Sequence, residues 1–144
     1  MTADSGKENM IIIWDSIKAI PVKTIFSPFE GTGVAAVDIS QDNLYLVALS
    51  ESNQITNKQR ISVWEWTSSS PNPIASAEIP SEDFQISLQF HFASSRLVAT
   101  NGKTSVLFWT WEKVRDEDGI ETDDYQFVSY APGVSTKFQI FYFI

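Results

Sequence analysis

Apolar residues fall along the chain in short runs rich in Val, Ile, Phe, Tyr and Trp, and the polar segments between them hold most of the prolines and glycines. Such runs are how strands joined by turns read, and the long 3.6-residue periodicity of an amphipathic helix is absent. The pattern predicts strands at Met10–Trp14, Val22–Ile25, Val34–Ile39, Tyr45–Leu49, Ile61–Trp66, Ile74–Ile79, Ile86–Phe92, Leu97–Thr100, Ser105–Trp111, Gln126–Tyr130 and Lys137–Ile144. An all-β chain follows.

Several runs are apolar on both faces. Successive strand side chains point to opposite sides, so the isoleucines of IIIWDS (residues 11–16) require two dry faces. The same device returns in ISVWEWT (61–67) and VLFWTWE (106–112), which places Trp14, Trp64 and Trp109 at intervals of 50 and 45 residues. Upstream of the later tryptophans the order also recurs: a strand (VAAVDIS, ISLQFHF), a polar turn (QDN, ASS), then a second strand (LYLVALS, RLVAT). Downstream of each comes a polar loop and a fourth strand, PVKTI, PIASAEI or YQFVSYA. Four strands repeated every ~40–45 residues, with a Trp-acidic signature on the third, describe one blade of a WD-repeat β-propeller.

A propeller explains the two dry faces, because each sheet is packed between like sheets, whereas a sandwich strand leaves one face wet. Trp14, Trp64 and Trp109 are the predicted blade-core anchors. Ile61 and Val63 should share one face and Trp64 and Trp66 the other, and Val106 and Phe108 should oppose Leu107, Trp109 and Trp111. Trp66 and Trp111 read as core, with exposure at a binding rim as the alternative.

The repeats divide the chain into a polar N-terminal tail (1–9), the outer strands of an incomplete blade (10–25), a complete blade (33–79), a second complete blade with an acidic loop at 112–124 (84–131), and the first strand of a further blade (134–144). This propeller fragment of about two and a half four-stranded blades falls short of the ~4 or more that a ring needs. The sequence is therefore expected to be an excerpt, a truncated product, or one half of a split propeller completed by another chain.

Composition narrows the partners. The formal charge is −8, from 18 acidic and 10 basic residues, so the phosphate neutralisation that drives nucleic-acid binding is missing and no nucleic acid is expected. Cysteine and Asn-x-Ser/Thr acceptors are absent, and the apolar run after the polar first nine residues is too short for a signal core or a membrane span. A soluble cytoplasmic protein without a membrane partner is the expectation.

Candidate chemistry is thin, and no cofactor or metal is expected. The one histidine, His91, closes a strand; a base paired with Asp38 or Ser40, in a hydrolase, is conceivable, and a turn-capping role is preferred. One His and no Cys exclude the common zinc patterns. An EF-hand reading of RDEDGIETDD fails, because Gly119 at loop position six puts Val114 and Tyr125 at the two end ligand positions. Gly31 and Gly33 lack the lysine and helix of a phosphate loop.

Charge is concentrated instead. Between Glu112 and Asp124 there are seven acidic and two basic residues, a net of −5. Asp116, Glu117, Asp118, Glu121, Asp123 and Asp124 form either a solvated connection or an acidic clamp for a basic partner segment. The connection SESNQITNKQR, with Asn57, Lys58 and Arg60, is the second candidate contact surface, since loops on a rigid scaffold commonly carry recognition.

The residues Trp14-Asp15-Ser16, Ile20-Pro21-Val22, Thr24-Ile25-Phe26, Glu30-Gly31, Gly33, Tyr45-Leu46 and Trp64 resemble the propellers of a WD-repeat family of motile cilia, subunits of the calmodulin- and spoke-associated complex, over about residues 10–114. The resemblance implies a non-catalytic scaffold of the axoneme that helps anchor a radial spoke. Its implied partners are other axonemal proteins: the radial-spoke base, other subunits of that complex and the doublet microtubule. A WD-repeat adaptor in a ubiquitin-ligase or trafficking complex is the alternative. The Gly-His dipeptide of many WD repeats, whose His joins a hydrogen-bonded tetrad with Asp, Ser and Trp, is missing, so blade stability is expected to rest on packing.

Overall fold

The computed structural model describes residues 1–3 and 8–131. Among these the secondary structure is strand, arranged in three antiparallel sheets that follow one another along the chain. The first holds β1 (Thr2–Ala3), β2 (Met10–Asp15) and β3 (Ile20–Phe26), in that spatial order. The second is the meander β4 (Val34–Ile39), β5 (Tyr45–Ser50), β6 (Arg60–Glu65) and β7 (Ala75–Glu78). The third is the meander β8 (Ser87–Phe90), β9 (Val98–Asn101), β10 (Val106–Arg115) and β11 (Glu121–Tyr130). The 134–144 strand expectation lies outside the described residues.

Two dry layers stack the sheets. Between the first and second lie Ile11, Ile13 and Ile25 from one side and Leu46, Ala48 and Trp64 from the other. Between the second and third lie Val47, Leu49, Ile61 and Val63 facing Leu88, Val98, Leu107, Trp109 and Trp111. The middle sheet is thus apolar on both faces because it has a sheet on both sides, and alternation along β6 sends Ile61 and Val63 into one layer and Trp64 into the other. Trp66 packs half-buried beside Trp64, while Trp111 is fully inside.

A rule of the repeat emerges. Trp64 and Trp109 face the preceding sheet, while the residues one and three places before Trp14 and Trp64 (Ile13 and Ile11, Val63 and Ile61) face the following one. Trp64 and Trp109 have a preceding blade and are 2% and 1% exposed. Trp14 departs from the expected core role: it is 41% exposed, because no described sheet stands on its side of β2. Phe26, on the same outer face across from Met10, is likewise 73% exposed.

Two further expectations change. The segment read as a polar tail contributes β1, where Thr2 pairs with Ile12 and Ala3 with Ile11. The supposed acidic loop is mostly strand: β10 runs to Arg115, β11 starts at Glu121, and only residues 116–120 turn. Opposite charges across the ribbon, Arg115 with Glu121 at 3.1 Å and Lys113 with Asp123 at 4.0 Å, let an acidic sequence pair as a hairpin. At the tip, Asp116 Oδ1 accepts the Asp118 and Ile120 amides, and Gly119 takes the left-handed conformation (φ 78°) that closes the turn.

Candidate partner-binding rims

Polar groups set how the blades sit. Gln59, just before β6, donates from Nε2 to Ser50 O (3.0 Å) and Gln85 O (2.9 Å) and accepts the Gln85 amide on Oε1 (2.7 Å), which ties the second blade to the linker that leads into the third. Asn9 stands at the matching place before β2 and donates to the carbonyls of Phe29 and Thr32 in the linker that leads into the second blade. At the far end of the strands, Asp38 at the end of β4 accepts the Phe90 amide of β8 at 2.7 Å. Arg96 fills the same junction: its guanidinium lies over the rings of Tyr45 (5.0 Å), Trp111 (5.5 Å) and Tyr125 (5.5 Å), and donates to Tyr45 Oη and the Trp111 carbonyl. Packing is therefore joined by buried hydrogen bonds that the sequence did not announce, although Asn9 and Gln59 hold the same place relative to Trp14 and Trp64 and so carried a faint signal.

Inside the blades, part of the WD hydrogen-bond network persists without its histidine. Trp109 Nε1 donates to Thr100 Oγ1 (3.0 Å) and Trp14 Nε1 to Thr2 Oγ1 (3.2 Å), where the two threonines hold equivalent second-strand positions. The middle blade has Ala48 there, and Trp64 Nε1 turns to Pro71 O. In the third blade a carboxylate makes the link between linker and turn: Asp83 accepts the Lys103, Thr104 and Ser105 amides and the Ser105 hydroxyl. The Thr104 amide, with Ser105 next, lowers the Asp83 pKa to about 2. Gly102 allows the approach, because a Cβ there would meet Asp83 and lie 2.7 Å from Phe84 O.

His91 serves its turn, with Nδ1 accepting the Ala93 amide at 3.2 Å and the ring stacked on Phe92. Ser40 Oγ is engaged in the β4–β5 turn, where it donates to Asp42 and accepts the Tyr45 amide, and its bond holds the Asp42 pKa below the usual carboxylate value. Among the described residues, no three His, Asp or Glu side chains converge to hold a metal ion.

The two candidate contact surfaces lie at opposite ends of the blades. Meander topology puts linkers 27–33 and 79–86 and turns 51–59 and 102–105 on one rim, and turns 40–44, 66–74, 91–97 and 116–120 on the other. Asn57, Lys58 and Arg60 stand on the first rim. Asp116, Glu117, Asp118, Glu121, Asp123 and Asp124 stand on or near the second, on the next blade, so the two groups do not share a rim. The first-rim loop is preformed: Asn53 Oδ1 accepts the Ile55 and Thr56 amides, Asn57 N donates to Asn53 O, and Asn57 is left-handed (φ 55°). Lys58 pairs with Glu78 at 2.6 Å.

Consecutive four-stranded meanders, stacked through tryptophan-bearing third strands and joined by short linkers, define a segment of a WD-repeat β-propeller. The chain matches the CFAP251 N-terminal domain over residues 1–135 and belongs to that family. It is similar to cilia- and flagella-associated protein 251 of Tetrahymena thermophila (38% identical over 115 residues, 78% of this chain and 11% of that protein). It is also similar to the Mus musculus protein of the same name (37% over 112 residues, 76% of this chain and 8% of that protein). The chain thus spans about a tenth of the length of these curated relatives. In fold it is similar to the β-propeller domain of Cps50 (Swd1) from Myceliophteria thermophila, with a TM-score of 0.58 at 9% identity over 90% of this chain and 34% of that one.

Proposed function

We propose that the chain is part of a non-catalytic interaction scaffold of the ciliary axoneme, where it helps dock a radial spoke and its associated complex on doublet microtubules and so supports motility. The observation that carries this reading is the clasped stacking of the blades through Gln59–Gln85 and Asp38–Phe90, which fixes two rims of loops relative to one another. Rigid presentation lowers the ordering cost of binding, and membership of a family named for cilia and flagella supplies the setting. Its partners are the radial-spoke base, other subunits of the calmodulin- and spoke-associated complex and the doublet microtubule. A further blade, from the same polypeptide or another, covers the outer faces of the first and third sheets. The acidic hairpin acts as a clamp for a basic segment, and the Asn57–Arg60 loop contacts a different partner.

The test is localisation and loss of function in a motile ciliated cell. A tagged full-length protein should enter the axoneme, and its removal should detach a subset of spokes and impair beating. A tagged protein absent from motile cilia would overturn the assignment and favour an adaptor in a ubiquitin-ligase or trafficking complex.

A further inference from the structure

On the first rim a cleft of about 410 Å³ opens between the linker 28–32 and the face of β6 and β7. Arg60 lines it together with Lys58, Glu30 and Glu78 and the hydroxyls of Thr32 and Ser76. The charges in it are not equivalent. Lys58 is committed to Glu78 at 2.6 Å, whereas the Arg60 guanidinium, with its five donors, makes no hydrogen bond or ion pair to the described residues. The other two arginines are both engaged, Arg96 in its aromatic cage and Arg115 on Glu121.

We propose that this cleft is a carboxylate site, in which Arg60 takes the side chain of a glutamate or aspartate from an acidic partner segment. An Arg fork matches a carboxylate bidentately. Glu30, the lining carboxylate not paired with a cation, disfavours a dianion beside Arg60, so a singly charged carboxylate fits better than a phosphate. The adjacent loop adds an apolar contact. Ile55 sits between the cleft-lining Asn53 and Thr56 and is 94% exposed, and its backbone amide donates to Asn53 Oδ1. Such a preformed apolar tip next to an unpaired cation suits a segment carrying an acidic residue beside an apolar one. The proposal rests on the reading of this rim as a partner surface and names the chemistry of the partner.

The test titrates the full chain, isotopically labelled, with the peptide Gly-Leu-Glu-Glu-Leu-Gly, its Gln-Gln counterpart, and a phosphoserine version. The Arg60 Nε–Hε resonance should shift saturably with the glutamate peptide and not with the glutamine one. Arg60→Gln should weaken binding about tenfold and Arg60→Lys less, since the charge remains but the fork is lost. Arg60 is solvent-exposed, so both variants should melt like the parent. An unmoved Arg60 resonance, unchanged affinity of Arg60→Gln, or tighter binding of the phosphoserine peptide would each overturn the carboxylate assignment. The rim itself is read separately, by axonemal incorporation of the tagged full-length protein with residues 53–57 replaced by Gly and Ser. Failure to incorporate together with an unmoved Arg60 would leave the rim reading standing and dismiss only the carboxylate, whereas normal incorporation would remove the rim reading.

Discussion

Gln59 and Gln85 close a two-bond ring across a blade boundary, the side-chain amide of one embracing the backbone amide and carbonyl of the other at 2.7 and 2.9 Å. Both residues are buried. The ring fixes where the third blade begins relative to the third strand of the second.

Replacing Gln59 by Leu should therefore destabilise the chain by about 3 kcal/mol, since it leaves buried backbone groups of Gln85 and Ser50 without partners. Urea unfolding reads the effect as a shifted midpoint at constant slope. Faster hydrogen exchange at the Gln85 amide than at the amides of β8 would locate the loosening at the junction.

The three repeat tryptophans should respond unequally. Trp64→Ala should cost about 3–5 kcal/mol by leaving a cavity between the first and second sheets, and Trp109→Ala a similar amount. Trp14→Ala in the same chain should cost less than about 1 kcal/mol, because its indole is already 41% exposed. Equal losses at Trp14 and Trp64 would show that a further surface covers Trp14.

Asp83 predicts a pH dependence of definite sign. Its folded pKa, about 2, lies below the ordinary value of 3.8, so its contribution to stability is complete above that ordinary value and is lost as pH falls from there through about 2. The gap in melting temperature between the parent and Asp83→Asn should be constant at neutral pH and close progressively in that acid window. Gly102→Ala should mimic the variant at neutral pH by pushing the carboxylate off its turn.

Most of the architecture was legible in the sequence because the repeat is written in its most buried residues. Ile61, Val63 and Trp64 must alternate between two dry layers, and that requirement shows in the order of side chains. What escaped the reading was long-range or contextual. Arg96 opens the run RLVAT with nothing local to mark its role, and only the fold brings Tyr45, fifty-one positions away, beneath it. The hairpin was hidden because its acidic residues have poor strand propensity, and cross-strand pairing with Arg115 and Lys113 offsets that locally. Trp14 looked like Trp64 because its sequence context is the same, while its burial depends on a neighbouring sheet that no local pattern can supply.

The acidic hairpin holds some of its charges in local bonds and leaves others without them. Asp116 caps its own turn, and Glu121 and Asp123 face cations across the ribbon, whereas the side chains of Glu117, Asp118 and Asp124 make no such bond among the described residues. Asp116→Ala should thus loosen the tip, while the triple variant Glu117→Gln, Asp118→Asn, Asp124→Asn should leave the melting temperature unchanged within about 1 °C. Its effect should appear in association. If these charges steer a basic segment, the triple variant should bind a labelled Lys/Arg-rich peptide about tenfold more slowly at low salt, and the difference should vanish once screening shortens the Debye length to about 3 Å near 1 M salt. Dissociation should change less than association, because exposed charges act mainly on encounter. Stopped-flow traces across a salt series distinguish the outcomes, and association rates that coincide for parent and variant at the lowest salt would mean that the hairpin does not recruit a basic partner.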